Sequence, residues 1–335
     1  MEKYSYSAED NSLLTPPIYK FFVYPLINVL PKSIPANIIT ICSNSLVLVS
    51  FLIAYINYLK GTIVCLWLIP LLCFAYIVGD CSDGIQARRT GTGSALGEYL
   101  DHFLDSFVTG LLTGILMLTF RTTNTVLLFC VYQFLYIGQI GTFWERLKNG
   151  VMRFSKISTS EGTMAIAIMA ALYSFPAVRA ADARPLVFGF SITQLIIFTA
   201  FGAAFVTGIT SIIRAGRYSL RLILHIVFSA GIGAVLVWCI HTSIFLHTVI
   251  VTFYNVLFLE SLLAATNEGK KEGLPDFIVP AACVLFFILP AYTFIIQLCQ
   301  SAYLLIRITL NAAAFFNKHK RFWYWKNPEN GTERK

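Results

Sequence analysis

Charged side chains are scarce in this chain of 335 residues. They make up 13% of it, whereas 57% of the residues are hydrophobic and the mean hydropathy is +0.70. This balance excludes a soluble globular domain, which needs a charged and polar surface. Several apolar runs reach the roughly 20 residues that a helix needs to cross a bilayer. We therefore expect an all-α, polytopic integral membrane protein.

Cysteine pairs are missing as well. The 8 cysteines stand singly, mostly within apolar runs, and no CxxC pair occurs. This spacing excludes a disulfide framework and a zinc site built on paired cysteines. The first residues are polar, so we expect no cleavable signal peptide.

Basic residues are dispersed between the apolar runs and give a net charge of +8. This pattern favours loops beside lipid headgroups and argues against a nucleic-acid partner. The asymmetry of the basic residues predicts about ten spans with both termini cytosolic. The expected spans are residues 38–59, 62–79, 103–120, 125–143, 162–178, 186–213, 222–240 and 243–265, followed by two helices within 277–316.

The chain divides into four expected segments. Residues 1–37 form an N-terminal segment with an amphipathic helix that lies in the membrane interface, because its apolar run is interrupted by Pro25. Residues 38–213 form a core of about six spans, residues 214–316 add further spans, and residues 317–335 form a basic cytosolic tail.

Over a long stretch of the N-terminal half, acidic residues are confined to one short window. Between Asn11 and Trp144 there are five, and all of them lie within residues 80–105. They are Asp80, Asp83, Glu98, Asp101 and Asp105. Ionisable groups beside membrane-type helices are costly and usually mark a functional site.

The spacing of the four aspartates places them on two helix faces. At 3.6 residues per turn, a separation of three or four residues puts two side chains on one face. Asp80 and Asp83 are three residues apart, and Asp101 and Asp105 are four apart. The glycine-containing connector, residues 89–96, predicts a turn, so the two helices should return antiparallel and bring both faces together.

Four carboxylates at one place require compensation. Two like charges ~4 Å apart repel by roughly 4 kcal/mol at an effective dielectric constant of about 20. The cluster therefore predicts either bound divalent cations or carboxyl groups that stay protonated. Because the ligands are oxygen atoms, Mg²⁺ or Mn²⁺ is favoured over Zn²⁺.

These residues form the pattern Asp80-x2-Asp83-Gly84-x2-Ala87-Arg88-x8-Gly97-x3-Asp101-x3-Asp105. At every fixed position the pattern resembles the signature of the CDP-alcohol phosphotransferase family. Members of that family are integral membrane enzymes that join a CDP-activated group to an alcohol and release CMP. The resemblance implies two divalent metal ions on Asp80, Asp83, Asp101 and Asp105, with Asp105 also a candidate base. It further implies a CDP site lined by Gly84, Ala87, Arg88 and Gly97, together with Asn37.

Flanking segments are similar to the eukaryotic choline and ethanolamine phosphotransferases. The first is Pro35-Ala36-Asn37-Ile38-Ile39-Thr40, where those enzymes usually read Ala-Pro-Asn, and the second is residues 144–161. In that subgroup, a histidine after the third aspartate and a glutamate in the second segment are thought to help deprotonate the lipid hydroxyl. The matching residues here are His102 and Glu161. Residues 144–161 could also be no more than an interfacial loop.

The resemblance implies that CDP-choline or CDP-ethanolamine and diacylglycerol are the substrates. It also implies a place in the endoplasmic reticulum or Golgi, an active site that faces the cytosol, and possibly a homodimer. Phe103 and Leu104 stand where the subgroup usually has glycine and cysteine, so the choice of headgroup stays open.

Two alternatives remain. One is a relative that uses CDP-diacylglycerol and a soluble alcohol, although such enzymes are usually shorter and lack the histidine at position 102. The other is a cation transporter that uses the acidic cluster as its ion site, but it would leave the glycines and Arg88 without a role.

Overall fold

The computed structural model of the protein describes residues 8–10, 12–154, 159–187 and 189–319. It begins with a short strand, β1 (Ala8–Asp10). A helical run follows, made of α1 (Thr15–Ile18), a π-helical turn (Tyr19–Val23) and α2 (Tyr24–Val29). These 15 residues cover about 22 Å at 1.5 Å per residue, which is less than the roughly 30 Å of a bilayer core. Their length suits the interfacial helix that the sequence predicts.

Four long helices come next: α3 (Ala36–Lys60), α4 (Leu68–Thr90), α5 (Ala95–Thr119) and α6 (Thr125–Asn149). The turn between α4 and α5 is short, because Gly91 ends α4 at a φ of +66° and Ser94 caps the first turn of α5. The side chain of Ser94 accepts a hydrogen bond from the backbone N–H of Gly97. The turn that the sequence predicts between the two aspartate pairs is thus present.

A bent pair of helices follows α6. Strand β2 (Met152–Phe154) pairs in parallel with β1. Helix α7 (Thr159–Leu172) then meets α8 (Pro176–Asp182) at a bend of 102°. A two-stranded hairpin, β3 (Pro185–Val187) and β4 (Phe190–Ser191), leads into α9 (Ile192–Ala215).

The C-terminal part begins with α10 (Leu220–Ala234), which continues as a π-helix (Val235–Cys239), and α11 (Ile244–Glu268). Two short helices, α12 (Ile278–Ala282) and α13 (Leu285–Ile288), and a 3₁₀ turn (Pro290–Tyr292) precede α14 (Thr293–His319). The predicted basic tail lies outside the described residues from position 320 onward.

Helices α11 and α14 run parallel to each other. The amide of Asn311 donates to Glu260 at 3.3 Å, and further along both helices Lys318 forms an ion pair with Glu268 at 2.7 Å. Residue numbers therefore increase in the same direction along both helices. The chain that connects the end of α11 with the start of α14 must return along the length of α11. Residues 278–288 lie on this return and cover only about 16 Å as helix, too little for a span of their own.

The protein is an all-α, polytopic membrane protein, as predicted. Within the described residues, eight helices are long and apolar enough to cross a membrane, or up to nine if α7 and α8 are counted as one span. The predicted count of about ten included a short helix before Pro290, and residues 278–288 form a short, broken apolar helix there. A count of ten spans therefore stays a prediction.

Four predicted spans have different bounds. The span predicted at 162–178 is the bent pair α7 and α8, and the span predicted at 186–213 begins within the β3–β4 hairpin and continues as α9 from Ile192. The span predicted at 62–79 is α4, which begins at Leu68 and continues to Thr90, and the span predicted at 103–120 is α5, which begins at Ala95. Hydropathy marks the apolar part of a helix, whereas the hydrogen-bonded ladder continues through polar residues. The motif residues therefore lie within the two helices and not beyond their ends.

The backbones of α6 and α9 lie in close contact. A Cβ atom added at Gly141 would lie 2.3 Å from the carbonyl oxygen of Gly208, and one at Gly208 would lie 2.2 Å from that of Ile137. Small residues at a helix interface permit this approach in membrane proteins. The same α9 carries Gly202, where an added Cβ would meet nothing within 4 Å.

We expect Gly141→Ala to destabilise the protein by about 1–3 kcal/mol, because the helices must separate to admit the methyl group. The control is Gly202→Ala, which should leave the unfolding midpoint unchanged or slightly raised, since alanine is the better helix former. Unfolding in mixed micelles with increasing SDS measures both. Equal midpoints for the two variants would contradict the close contact.

Candidate active site

Three aspartates converge where α4 and α5 lie side by side. Carboxylate oxygens of Asp80, Asp101 and Asp105 all lie within 4.8 Å of one another. Asp80 comes from α4 and the other two come from one face of α5, as the spacing of the sequence predicts. The structure thus brings together three of the four aspartates of the predicted metal site.

Two of these carboxylates have unsatisfied oxygen atoms. The Oδ1 atoms of Asp80 and Asp101 are buried and have no hydrogen-bond partner among the described residues. By contrast, Asp105 accepts a hydrogen bond from the hydroxyl of Tyr76 through Oδ1 at 2.8 Å. Buried acceptors that lack a donor are costly. This arrangement fits a bound cation, which would satisfy both oxygens and the clustered charge.

Asp83 lies outside this group of three. It is 6% exposed, and its Oδ2 accepts a short hydrogen bond from the hydroxyl of Thr40 on α3. Its charge is nevertheless close enough to act on Asp101 and Asp80. The role of Asp83 as a metal ligand stays a prediction.

The predicted CDP-binding residues lie on the same two helices. Gly84, Ala87 and Arg88 are accessible on α4, and a Cβ added at Gly84 would lie 3.6 Å from Nη1 of Arg88. On α5, a Cβ added at Gly97 would lie 3.3 Å from the side-chain oxygen of Asn37. Gly84 thus leaves the backbone open beside a guanidinium, and the absence of a side chain at Gly97 lets the polar group of Asn37 approach the helix closely.

His102 is buried against α6. Its Nε2 lies 3.7 Å from Oδ2 of Asp101, and its Nδ1 lies 3.4 Å from Nη1 of Arg146. Arg146 also forms an ion pair with Glu98, and both side chains of this pair are buried. A continuous polar chain therefore runs from Glu98 through Arg146 and His102 to Asp101.

Glu161 lies in the first turn of α7, which packs against α4 and α5. Its Oε1 accepts hydrogen bonds from the hydroxyl of Ser12 and from the backbone N–H of Leu14, both at 2.7 Å. These contacts attach the start of the N-terminal helical run to α7. The structure therefore shows Glu161 as an anchor for the N-terminal segment, and its predicted part in catalysis stays a prediction.

The end of the N-terminal helical run is attached to the motif helix α4. The guanidinium of Arg89 donates to the carbonyl oxygens of Ile27 and Leu30, and Gln86 donates to those of Pro31 and Ile34. Arg89 thus differs from its neighbour Arg88, which is exposed.

Three residues at the site were not predicted from the sequence: Thr40, Tyr76 and Arg146. Thr40 ends the segment Pro35 to Thr40 and Arg146 lies within the 144–161 segment, so both belong to segments that resemble the subgroup, but neither was assigned a role. Tyr76 carried no signal, because a tyrosine within an apolar run reads as core. All three residues are recognised only from contacts between different helices.

Comparison with known proteins assigns the chain to a family. The family model described as CDP-alcohol phosphatidyltransferase matches residues 33–206, which is more than half of the chain and contains every residue of the acidic motif. The chain belongs to the CDP-alcohol phosphatidyltransferase family. This is the family whose signature residues 80–105 resemble.

Individual members of the CDP-alcohol phosphatidyltransferase family show more limited similarity. Cholinephosphotransferase 1 of Rattus norvegicus is 28% identical over 181 residues, which are 52% of this chain and 45% of the relative. Its counterpart in Homo sapiens is 26% identical over the same length, covering 52% and 44%. An uncharacterized class-I family protein of Schizosaccharomyces pombe is 36% identical over 106 residues, 29% of this chain and 27% of the relative. The match thus spans less than half the length of each relative.

Proposed function

We propose that this protein transfers phosphocholine or phosphoethanolamine from the corresponding CDP-alcohol to diacylglycerol, which forms phosphatidylcholine or phosphatidylethanolamine and CMP. The observation that carries the proposal is the convergence of Asp80, Asp101 and Asp105 within the family motif. The similarity to cholinephosphotransferases, together with the resemblance of His102 to the histidine of that subgroup, favours this subgroup over relatives that use CDP-diacylglycerol.

Asp80, Asp101 and Asp105, joined by Asp83, would hold two divalent cations, Mg²⁺ or Mn²⁺. Such ions would offset the negative charge of the diphosphate. Arg88 is placed to add a fixed guanidinium for a phosphate oxygen. Gly84 and Gly97 let the nucleotide approach the helix backbones, and Asn37 offers an amide beside Gly97.

The reaction joins the hydroxyl oxygen of diacylglycerol to the phosphorus that bears the headgroup. The bond between this phosphorus and the oxygen of CMP breaks, CMP leaves with the electron pair, and the hydroxyl proton passes to a base. The candidates for this base are His102 with Glu161, or Asp105.

The contacts of His102 bear on this choice. Arginine can only donate, so the approach of Arg146 to Nδ1 favours the tautomer that carries its proton on Nε2. That proton faces Asp101, and His102 would then orient this carboxylate. Asp105, which Tyr76 holds in place, is favoured as the base in this arrangement.

We also propose that the site faces the cytosol in the endoplasmic reticulum or Golgi, because the basic residues concentrate at the end of the bundle that holds the motif turn. Diacylglycerol would enter from the bilayer between the helices. A homodimer remains part of the proposal and can be measured by the mass of the purified protein.

The proposed activity can be measured directly. Purified full-length protein in micelles that contain diacylglycerol and Mg²⁺ should release CMP from CDP-choline or CDP-ethanolamine, and competition between the two donors would identify the headgroup. Release of CMP only from CDP-diacylglycerol with inositol or glycerol phosphate would contradict this proposal. It would instead support the alternative of an enzyme that uses CDP-diacylglycerol and a soluble alcohol. Metal-dependent cation flux without CMP release would indicate the transporter.

A further inference from the structure

A cavity lies at the opposite end of the bundle from the aspartates. It has a volume of about 430 Å³ and forms where α5 ends, where α7 bends into α8 and where the β3–β4 hairpin enters α9. Phe120, at its wall, follows Asp101 by 19 residues along α5, which corresponds to about 28 Å of helix. The cavity is therefore separate from the candidate active site.

Two arginines line this cavity, Arg121 and Arg179. Basic residues are rare in the loops at this end of the bundle, where the sequence has Lys60, Arg121, Arg179 and Arg184. That two of the four line one cavity indicates a site for an anion.

Both guanidinium groups are held in place by backbone oxygens. Nη2 of Arg121 donates to the carbonyl of Asn57 at 2.8 Å, and Nη1 of Arg179 donates to the carbonyls of Tyr173 and Ser174 at 2.9 and 2.7 Å. A guanidinium carries five N–H donors, and within the described residues these bonds use one terminal nitrogen of each group. The remaining donors suit the oxygens of a phosphate.

Groups that bind a cation line the same cavity. Asp182 is held through Oδ1, which accepts hydrogen bonds from Ser191 at 2.9 Å and from Thr193. The rings of Phe120 and Tyr173 lie 4.6 Å apart. Asp182 and both arginines are close enough to Tyr173 to act on it electrostatically. A carboxylate beside aromatic rings is the environment that an ammonium group prefers.

The surroundings of the cavity are apolar. Leu172 and Phe175, on either side of the bend, are 42% and 58% exposed, and Ile192 at the start of α9 is 51% exposed. In a membrane these side chains would contact acyl chains. The cavity volume lies within the range of roughly 300–1,000 Å³ that is typical of ligand sites, so a headgroup could enter while its acyl chains stay outside.

We propose that this cavity binds the zwitterionic headgroup of a bilayer phospholipid, with its phosphate on Arg121 and Arg179 and its ammonium group on Asp182 and Tyr173. The site would take its lipid from the leaflet opposite the aspartates. Binding of a lipid at this cavity requires no phosphotransfer. The proposal can therefore be tested independently of the proposed reaction.

The test uses full-length protein in nanodiscs that contain a phosphatidylcholine with a photoactivatable headgroup, and maps the covalent label by mass spectrometry of proteolytic peptides. We expect label on residues 173–194. Arg179→Gln should lower it about tenfold, because charge-assisted hydrogen bonds to the phosphate are lost. Arg184→Gln is the matched control, since Arg184 is exposed and does not line the cavity, and it should leave the label unchanged.

Two further arms identify the ligand chemistry. Asp182→Asn should lower labelling by the phosphatidylcholine probe and leave labelling by a phosphatidylglycerol probe unchanged, because the latter has no ammonium group. Excess glycerophosphocholine or inorganic phosphate should not compete. If Arg179→Gln does not fold, Arg121→Gln tests the same phosphate contact from another loop.

Three results would overturn the proposal. They are wild-type label that avoids residues 173–194, label that both arginine variants retain in full, and competition by the soluble phosphates, which would indicate a water-soluble ligand.

Discussion

Asp101→Asn is expected to lower the release of CMP from the CDP-alcohol by at least about a hundredfold. Asp101 belongs to the group of three converging carboxylates, and its Oδ1 is buried without a partner. An amide keeps the size of the side chain but removes the negative charge that a divalent cation requires. Losses of about a hundredfold or more are typical when a preorganised electrostatic group is removed from an active site.

The measurement is CMP release at saturating CDP-alcohol, with Mg²⁺ raised in steps. The matched control is Glu268→Gln, which makes the same change of charge in an acid that forms ion pairs with Lys270 and Lys318 at the end of α11. The control should keep most of the wild-type activity. Near wild-type activity of Asp101→Asn at every Mg²⁺ concentration would contradict the assigned role.

Arg146→Met is expected to destabilise the protein by about 3–5 kcal/mol. Arg146 and Glu98 form an ion pair whose side chains are 7% and 6% exposed. Loss of the cation removes the ion-pair partner of a buried carboxylate, and that penalty is usually larger than the net value of the pair. Unfolding in mixed micelles with increasing SDS measures the change.

A double-mutant cycle separates this penalty from lost packing. Glu98→Gln combined with Arg146→Met removes both charges, so the double variant should be more stable than Arg146→Met alone. If the effects of the two substitutions were simply additive, the ion pair would contribute nothing. Activity gives a second readout, because the double variant also lacks the contact between Arg146 and His102 and should remain impaired despite its recovered stability.

The sequence predicted much of the site because the relevant geometry is local. Residues three or four apart on a helix share a face whatever surrounds the helix, so Asp101 and Asp105 were placed correctly before the fold was known. The turn at Gly91 was predicted for the same reason, since glycine and serine between two polar helix ends specify a short connection. Membership of a membrane class followed from composition alone.

The bounds of the spans were predicted less well, and the count of about ten spans stays a prediction. Hydropathy does not indicate where a helix continues through charged residues, and α4 does so as far as Thr90. It also does not show where an apolar run such as residues 277–316 breaks into separate helices. Prolines at 280 and 290 interrupt that segment, and each removes a backbone donor from the helix.

By itself the sequence determined the kind of molecule, its two aspartate-bearing helix faces and its family, because periodicity, composition and motif spacing are properties of neighbouring residues. Only the tertiary structure decided that Thr40 holds Asp83, that a buried Arg146 connects Glu98 with His102, and that Arg121 and Arg179 line one cavity. Those partners lie on different helices, and their meeting depends on how the bundle packs. Packing depends on the shapes of whole helix surfaces. A short stretch of sequence does not show which of these surfaces will meet.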